Sequence, residues 1–436
     1  MNVVTQRYLA ACSDHDSGLR HAARDLALPE VYRTSYGGLQ LDRPMLAPES
    51  EITGFGASLV DLFDLLVSLP ARVSGGDLRG YCARLGMDDR LADLACRGDR
   101  HDLPVYARAD AYHDGNGFQL LELNVGSELG GIDTAQVNRA FLQVPAFADF
   151  AERHDLRHLD TLPRTARALR TAAREVTSGE PVIALIESNG GLAAHQHVFV
   201  AIQEAMAGLG IVLLLGELDE LGERAGKVTL RGTPVDVILR YFVAGELVDD
   251  PAGQRVLDLV LRARDTVLFA PLSAAAFASK GSLAMLHEPD VAGTLSAGER
   301  ALVDRIVPWT RLLAGADPEL VERCRDEREE LVLKPGIGYG GVGTVVGHEV
   351  SDEEWHHALA ERTTGDHVVQ RRVRPATESV MDADTGAIDE WVANWGIFVD
   401  ADGYAGGFVR ALRPEHGAVV SYSNKGTRGT CVFTAP

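Results

Sequence analysis

The sequence predicts an α/β protein that contains two kinds of sheet. Between residues 180 and 275, short apolar segments alternate with amphipathic segments at helical spacing, which is typical of a parallel, doubly wound sheet. The predicted strands there are VIALIE, IVLLLGEL, VDVILRYF and VLFAP. Near the C-terminus, EWVANWGIFVD, YAGGFVRALRP and AVVSYSNKGTRG follow one another without a helix, which predicts successive strands of an antiparallel sheet.

Four regions are predicted along the chain. Residues 1–100 form an N-terminal helical region, because segments such as FGASLVDLFDLLVSLPARV carry apolar residues at helical spacing. Residues 101–165 contain a β-hairpin and helices. Residues 166–275 form the doubly wound unit, and residues 276–436 contain a glycine-rich segment and the antiparallel sheet.

Composition excludes several classes of partner. The chain of 436 residues is 46% hydrophobic, enough for two or three domains with real cores. A net charge of −21 argues against nucleic-acid and anionic-membrane partners, which reward clustered Lys and Arg. Five scattered cysteines without a C-x-x-C motif favour neither a disulfide framework nor a zinc site. Without a signal-peptide core or a membrane-length apolar run, the expected location is the cytoplasm.

The most informative stretch runs from Arg108 to Gly131. Two alternating segments, 103–113 and 118–125, flank the turn sequence DGNG, which predicts a β-hairpin. If the hairpin folds about Asn116, Asp110 lies opposite Glu122 and Arg108 lies opposite Asn124. All four side chains then share one face of the hairpin.

Two carboxylates on one face of a hairpin require an explanation. Directly opposed residues have Cβ atoms about 4.5–5.5 Å apart, so Asp110 and Glu122 would repel each other without a cation between them. Carboxylate and Asn124 carboxamide oxygens suit Mg²⁺ held together with substrate phosphates better than zinc or copper. The alternative interpretation is an exposed hairpin face that carries ordinary charges.

The second informative stretch is LVLKPGIGYGGVGTVVG, in which a short strand ending in Lys334 precedes six glycines. A G-x-G-x-x-G match is present, but β-branched Thr344-Val345-Val346 follows instead of a helix, which argues against a dinucleotide fold. A P-loop is excluded because no G-K-[ST] follows. The segment instead predicts a flap whose backbone N–H groups cover phosphates, with Lys334 offsetting their charge. The alternative is a structural glycine turn.

Other candidates carry weaker signals. Ser188-Asn189-Gly190-Gly191 follows a predicted strand and could receive an anion at a helix N-terminus or be a connecting loop. The strand HVVQRRVRP could present polar residues to a cleft or lie at a sheet edge with a solvated basic face. A cationic group near the C-terminus suggests an anion site, although some members must be solvated: Arg410, Arg413, Asn424, Lys425 and Arg428. Hydrolase and zinc-enzyme motifs are missing from the sequence.

The motifs resemble those of one family. Arg108-x-Asp110 followed by Glu122-x-Asn124 resembles the magnesium-binding and catalytic segment of ATP-grasp ligases. The Lys334 glycine loop and the strand Val368-Val369-Gln370 resemble the lysine, the phosphate flap and the adenine hinge of that family. Here the carboxylate segment precedes the flap, an inverted order that resembles the circularly permuted branch typified by glutathionylspermidine synthase. The likeness covers roughly residues 100–430.

The resemblance implies a fold and roles for individual residues. The fold would be a circularly permuted ATP-grasp core (101–165 and 276–436) around an α/β pre-ATP-grasp-like domain. Arg108 would be catalytic, and Asp110, Glu122 and Asn124 would hold Mg²⁺, as two ions. The implied ATP contacts are Lys280, Lys334, Gly338, Gly340, Gly341, Gly343, Gln370, Arg371, Val373 and Arg410. The candidate substrate contacts are Ser127, Ser188, Asn189, Asn424, Lys425 and Arg428.

Together these features predict an ATP-dependent carboxylate–amine ligase. ATP would convert a carboxylate to an acyl phosphate, and an amine would displace phosphate, in small-molecule or peptide natural-product biosynthesis. A small-molecule kinase and a non-catalytic nucleotide-binding protein are the alternatives. The expected partners are a small carboxylate and an amine, and the oligomeric state stays open, with a homodimer as one option.

Overall fold

The computed structural model of the protein describes residues 2–14, 17–28, 33–34, 39–97, 103–132, 134–338 and 340–436. In these ranges the chain forms fifteen α-helices and eighteen β-strands in four sheets. The helices are α1 Val3–Cys12, α2 Glu49–Ser74, α3 Leu78–Arg84, α4 Asp89–Ala95, α5 Ala135–Gln143, α6 Pro145–Arg153, α7 Thr161–Ala173, α8 Leu192–Gly208, α9 Pro251–Arg262, α10 Ala274–Ala278, α11 Lys280–Met285, α12 Pro289–Ala292, α13 Ala297–Ile306, α14 Pro318–Asp326 and α15 Asp352–Arg362. The strands are β1 Met45–Pro48, β2 Tyr106–His113, β3 Phe118–Val125, β4 Val182–Glu187, β5 Val212–Glu217, β6 Leu221–Arg224, β7 Lys227–Leu230, β8 Thr233–Pro234, β9 Val237–Arg240, β10 Val267–Phe269, β11 Thr310–Leu312, β12 Leu331–Pro335, β13 Val345–Val346, β14 His367–Arg371, β15 Thr377–Met381, β16 Ile388–Asp400, β17 Gly403–Leu412 and β18 Arg428–Ala435.

The largest sheet has seven strands and holds the predicted hairpin. Its order is β1-β18-β17-β16-β2-β3, and β15 pairs with the first part of β16. Helix α2 packs on β16 and β17 and buries an apolar stripe that includes Leu59, Leu62 and Leu66. Among the described residues, α2 alone is long and apolar enough to cross a membrane, and 56% of that window is buried inside the protein. Because α2 covers one face of the sheet, the polar hairpin residues lie on the other face.

The predicted parallel sheet is present with the order β10-β9-β4-β5. Its strands coincide with the four apolar segments, and α8 and α9 occupy the predicted helical segments. Between β5 and β9 the chain adds a small antiparallel sheet, β6-β7-β8, that the sequence analysis did not predict. The segment that forms it, LGERAGKVTLRGTP, is short and charged and lacks a clear alternation of apolar residues.

A four-stranded antiparallel sheet, β11-β14-β12-β13, lies next to the hairpin and carries Lys334. Helix α11 packs against β3, β11 and β14, so it joins this sheet to the hairpin. In the segment ERALVDRIVPWTRLLAG, helix α13 ends at Ile306 and β11 follows. Pro308 explains the break, since proline lacks an N–H and disfavours helix in the preceding residue.

The segment AVVSYSNKGTRG, predicted as a strand, is largely a loop, and β18 begins only at Arg428. Hydrogen bonds within the loop stabilise it: Thr427 Oγ1 donates to the Ser421 carbonyl at 2.7 Å, and the Gly426 N–H donates to Asn424 Oδ1 at 3.1 Å. Such local side-chain bonds compete with a strand ladder. In the N-terminal region, which is predicted to be helical, α1 ends at Cys12 and a short 3-10 helix follows at Leu19–His21.

Candidate functional site

The hairpin places the predicted residues opposite one another. Asp110 on β2 pairs with Glu122 on β3, and Arg108 pairs with Asn124. The Arg108 guanidinium lies against the Asp110 carboxylate, as expected for side chains two residues apart on a strand. The Asn124 Nδ2 donates to the Arg108 carbonyl at 3.3 Å. The predicted register is therefore confirmed.

A β-bulge at Leu121 maintains this register. Asp110 pairs with Glu122 while Ala111 pairs with Leu120, so Leu121 is an extra residue on β3. The bulge reverses the alternation of the strand, and Leu120 before it and Leu123 after it both enter the core. Two consecutive leucines in an otherwise alternating segment were the sequence signal for this bulge, which the hairpin prediction did not use.

Asp110 is the most enclosed carboxylate of the site, with 4% of its surface exposed. Its Oδ1 accepts from Arg108 Nε at 3.0 Å, and its Oδ2 accepts from Arg410 Nη2. Burial raises the pKa of Asp110, but the two guanidinium groups outweigh it and lower the pKa to about 2. The group is therefore ionised at neutral pH. A carboxylate offers about four lone-pair positions, so two arginine contacts leave room for a further cation.

An aromatic ring supports both arginines. The Arg108 and Arg410 guanidinium carbons lie 5.6 Å and 5.5 Å from the centre of the Phe408 ring, within cation–π range. Gly396 on β16 pairs with Asp110 on β2, and its missing side chain leaves the space for this ring. A Cβ at Gly396 would lie 2.7 Å from a Phe408 ring carbon. The ring thus holds both cations beside Asp110 before any ligand binds.

Lys280 joins Glu122 to the glycine-rich segment. Its ammonium nitrogen lies 2.8 Å from Glu122 Oε2, and only 8% of the residue is exposed. Its backbone N–H donates to the Gly336 carbonyl at 2.8 Å, and the preceding Ser279 caps α11 by accepting from the Gly281 N–H. Lys280, one of the implied ATP contacts, is thus buried within the site and not exposed to solvent.

Lys334 lies at the end of β12, and its ammonium group points at the hairpin. It donates to Gln370 Oε1 at 2.6 Å and to the Leu121 carbonyl at 3.3 Å. Gln370 in turn donates to Thr310 Oγ1 at 3.1 Å. Burial lowers the pKa of Lys334, Glu122 raises it in part, and the result is a pKa of about 8. Lys334 is therefore mostly protonated at neutral pH, but it holds its proton less tightly than an exposed lysine does.

The glycine-rich segment between β12 and β13 lies against the loop before β18. The Ser423 hydroxyl donates to the Gly340 carbonyl at 3.1 Å. Gly340, Gly341 and Gly343 all have positive φ, and a Cβ at Gly341 would lie 2.6 Å from a Val419 methyl group. Glycine is required there because the turn is left-handed and the two loops approach closely.

These elements enclose a cleft of about 270 Å³ between the hairpin and the four-stranded sheet. Eleven predicted residues line it: Asp110, Glu122, Lys280, Lys334, Gly338, Gly340, Gly341, Gln370, Arg371, Val373 and Arg410. The rest of the lining includes an apolar group formed by Leu121, Val332, Val346, Val392 and Val420. The cleft therefore combines an ionic group with an apolar one, as small-molecule sites usually do.

Three predicted residues lie beside the cleft without lining it, namely Arg108, Asn124 and Gly343. Ser127 lies elsewhere and is 1% exposed; its hydroxyl donates to the Arg240 carbonyl and accepts from the Ala270 N–H. Those contacts attach the hairpin to the parallel sheet. The predicted substrate contact at Ser127 is thus a buried joint between two sheets.

The loop from Ser188 to Gly191 already holds an anion of the protein itself. The Glu217 carboxylate accepts from the N–H groups of Gly190 and Leu192, both at 2.9 Å, at the start of α8. Asn189 Oδ1 accepts from the Asp219 N–H. The structure therefore places Ser188 and Asn189 in a loop that the protein's own groups occupy.

The residues of the predicted C-terminal cationic group do not lie together in the structure. Arg410 reaches Asp110, whereas Arg413 pairs with Asp389 and lies over Trp391. Asn424 and Lys425 line a shallow depression beside the glycine loop. Lys425 and Arg428 also line a separate surface cavity next to the N-terminal region. Only Arg410 of this predicted anion group belongs to the main cleft.

Several residues of the cleft were not predicted from the sequence, among them Tyr112, Glu349 and Asn394. Tyr112 donates to the Ala418 carbonyl at 3.1 Å, and Glu349 accepts from the Ala418 N–H at 2.7 Å, so both position the loop before β18. Asn394 lies on the cleft wall next to Arg410. Tyr112 could have been found, because it is two residues beyond Asp110 on the same face. Asn394 and Glu349 had no local motif.

The donor set of the cleft can be tested against the divalent cation that the family resemblance implies. Among the described residues, no group of three or more His, Cys, Asp and Glu side chains could hold a metal by itself. Asp110 and Glu122 supply two carboxylates, and Asn124 supplies a carboxamide on the same face. Two hard carboxylates without a complete protein cage fit Mg²⁺, which usually keeps waters and shares its ligands with phosphates.

Comparison with known proteins identifies the fold. No protein-family model matches the sequence, and no curated protein matches it. A solved structure of a glutathione synthetase-like effector from Globodera pallida matches with a TM-score of 0.60 at 13% identity, covering 99% of this chain and 97% of that one. A structure from Methylobacillus flagellatus, described as a gamma-glutamylcysteine synthetase, matches with a TM-score of 0.46 at 15% identity, covering 89% of each chain. The protein thus shares the fold of the glutathione synthetase-like effector over nearly its whole length.

Proposed function

We propose that this protein is an ATP- and Mg²⁺-dependent ligase that joins a small carboxylate to an amine. The observation that carries the proposal is the convergence of four cations around Asp110 and Glu122: Arg410, Lys280 and Lys334 line the cleft, and Arg108 lies beside it. Four cations exceed what Asp110 and Glu122 require for neutrality. A polyanionic ligand such as a triphosphate would use the surplus positive charge.

The cleft lining suits a nucleotide. Its apolar group could accept a base, while Lys280, Lys334 and Arg410 would face the phosphates. Backbone N–H groups of the glycine loop would cover the phosphates from the other side. Asp110, Glu122 and Asn124 would hold the divalent cation, which when bound would offset phosphate charge and polarise the terminal phosphoryl group.

The proposed reaction has two steps. A carboxylate oxygen attacks the γ-phosphorus, the bond to the ADP oxygen breaks, and an acyl phosphate forms. The amine nitrogen then attacks the acyl carbon, the carbon–oxygen bond to phosphate breaks, and the amine proton passes to solvent. Arg108, which donates to Asp110 and to the Leu129 carbonyl, would stabilise negative charge in both steps. No protein nucleophile is needed.

The fold supports a ligase over the alternatives. A protein of known structure that shares the fold is named as glutathione synthetase-like. In this chain the carboxylate hairpin precedes the lysine and the glycine loop, and we infer a circularly permuted ATP-grasp core from that order. A biosynthetic role in the cytoplasm, with small-molecule substrates, accompanies this proposal.

Phosphate release tests the proposal directly. Wild-type protein with ATP and Mg²⁺ would be screened against amino acids, small peptides and polyamines in pairs, with Glu122→Gln as the matched inactive control. A productive pair should release one phosphate and one ADP per amide formed, and hydroxylamine in place of the amine should give a hydroxamate. A kinase would give ADP without free phosphate. AMP as the stoichiometric product would overturn the acyl-phosphate mechanism.

A further inference from the structure

Asn394 is a buried polar residue on the cleft wall. It lies on the central strand β16, where it pairs with Arg410 on β17, and it is 7% exposed. Gly396, two residues further along the same face, pairs with Asp110. Asn394 therefore shares the face of the sheet that carries Arg410 and Asp110.

Two polar atoms here lack partners in the described part of the chain. The Oδ1 of Asn394 accepts no hydrogen bond, and the Nε of Arg410 donates none, although both atoms are buried. Leaving such a group unpaired destabilises a protein, and most buried polar groups in folded proteins are paired. An acceptor and a donor that are both left open side by side point to a ligand that pairs with each.

The chemistry of the two atoms restricts that ligand. Arg410 Nε requires an acceptor, which a phosphate oxygen supplies. Asn394 Oδ1 requires a donor or a cation, and a triphosphate offers neither, because at neutral pH its oxygens only accept. A divalent cation bound to the triphosphate, with its coordinated waters, supplies what the carboxamide oxygen lacks. The phosphates of a metal-free nucleotide would satisfy Arg410 alone.

We propose that Asn394 is a binding residue for the cation side of a cation–nucleotide complex, with its carboxamide oxygen serving the hydrated divalent ion while Arg410 takes a phosphate oxygen. The inference rests on the proposed function, and it adds a residue from β16 to the hairpin donors. It also explains why a polar residue with weak strand propensity occupies the middle of a central strand.

Two variants of similar shape separate the ligand role from a structural one. Asn394→Leu removes the carboxamide and keeps the volume. Asn138→Leu is the matched control, since Asn138 is 2% exposed and donates to the Val432 carbonyl at 2.8 Å, away from the cleft. Calorimetry with a non-hydrolysable ATP analogue, once with MgCl₂ and once with EDTA, gives the affinity for each form of the nucleotide. Thermal unfolding without ligand gives the stability of each variant.

Asn394→Leu should weaken binding of the Mg²⁺ complex about tenfold and change binding in EDTA by less than about twofold. Its ligand-free unfolding midpoint should stay equal or rise by about a few degrees, because an unpaired polar group is removed. Asn138→Leu should lower the midpoint and leave the effect of Mg²⁺ on affinity unchanged.

Other outcomes overturn the inference. Equal weakening with and without Mg²⁺ would mean that Asn394 contacts the nucleotide itself. Unchanged affinity, or a lower ligand-free midpoint, would mean that the carboxamide serves the fold. If the wild-type protein shows no Mg²⁺-dependent nucleotide binding, the proposed function fails first, and that result is distinct from the failure of Asn394 alone.

Discussion

The backbone carbonyl of Leu121 accepts a hydrogen bond from the Lys334 ammonium at 3.3 Å, across 213 residues of sequence. Leu121 is the extra residue of the β-bulge opposite Asp110, so its carbonyl is free to leave the ladder with β2. The same carbonyl lies 3.5 Å from Gln370 Nε2. The bulge therefore connects the carboxylate hairpin to the strand that carries the glycine loop.

Deletion of Leu121 should separate the effect of the bulge on the strand register from its effect on the hydrogen bond to Lys334. Because Leu121 is the unpaired residue, its removal leaves Asp110 opposite Glu122 and keeps Leu120 and Leu123 on the core side. The fold should persist, while Lys334 loses one acceptor. Affinity for an ATP analogue should fall about tenfold, as expected for a misplaced charged contact. Circular dichroism and calorimetry would measure both, and unchanged affinity would show that the bulge carbonyl has no role in the site.

Lys334 predicts a pH dependence of nucleotide binding. Its pKa of about 8, lowered first by burial, means that the ligand-free protein loses this cation as the pH rises through that value. Binding of a polyanion favours the protonated form, so affinity should fall by up to about tenfold per pH unit above pH 8. Lys334→Arg should remove this dependence because its guanidinium stays charged. Calorimetry across the range would test it, and a wild-type profile as flat as the arginine variant would contradict the assignment.

The charged residues of the hairpin should respond differently to neutralisation. Glu122→Gln keeps an acceptor for Lys280, so the unfolding midpoint should change little while turnover falls about a hundredfold or more. Asp110→Asn instead leaves Arg108 and Arg410 without their buried anion, at a cost of about 3–5 kcal/mol. A bound triphosphate should restore part of that stability. Near-normal turnover in both variants would exclude a catalytic role for the pair.

The sequence predicted those parts of the site whose signals are local. The hairpin register followed from a turn sequence and from alternating residues, and the pairing of Asp110 with Glu122 confirmed it. The strand nature of Val345 and Val346 confirmed that the glycine segment does not open a dinucleotide-binding helix. Both predictions rest on residues within about twenty positions of one another, where backbone preferences dominate.

The rest of the site depends on tertiary contacts that have no local signature. The ion pair between Lys280 and Glu122 arises because α11 packs between two sheets, and no pattern near Lys280 indicates that position. Asn394 lies between apolar residues of an ordinary strand. Ser188 and Asn189 were candidates for an anion site or for a connecting loop, and the carboxylate that occupies their loop comes from Glu217 on the neighbouring strand β5.

The partly buried carboxylate of Asp366, at the base of the glycine loop, gives the last prediction. The Gly336 N–H donates to the Asp366 carbonyl at 2.8 Å, and a Cβ at Gly336 would overlap the Asp366 carboxylate. Asp366 Oδ1 has no hydrogen-bond partner in the described residues. Burial raises the pKa of Asp366 to about 6, although the Lys280 ammonium opposes this. Ionisation of Asp366 therefore lowers the stability of the folded protein.

The sign of the effect follows from linkage. The folded state holds the proton more tightly than the unfolded chain, so the stability associated with protonated Asp366 is complete below about pH 4 and is lost as the pH rises through about 6. Asp366→Asn removes the ionisation and should stabilise the protein at pH 7.5 by about 1–3 kcal/mol. At pH 4.5 the variant and the wild type should differ much less. Urea unfolding at both pH values measures the difference in stability between the variant and the wild type. An equal difference at the two pH values would mean that ionisation of the Asp366 carboxylate does not cause it. A variant less stable than the wild type at pH 7.5 would mean that the charge of Asp366 supports Lys280 and the glycine loop.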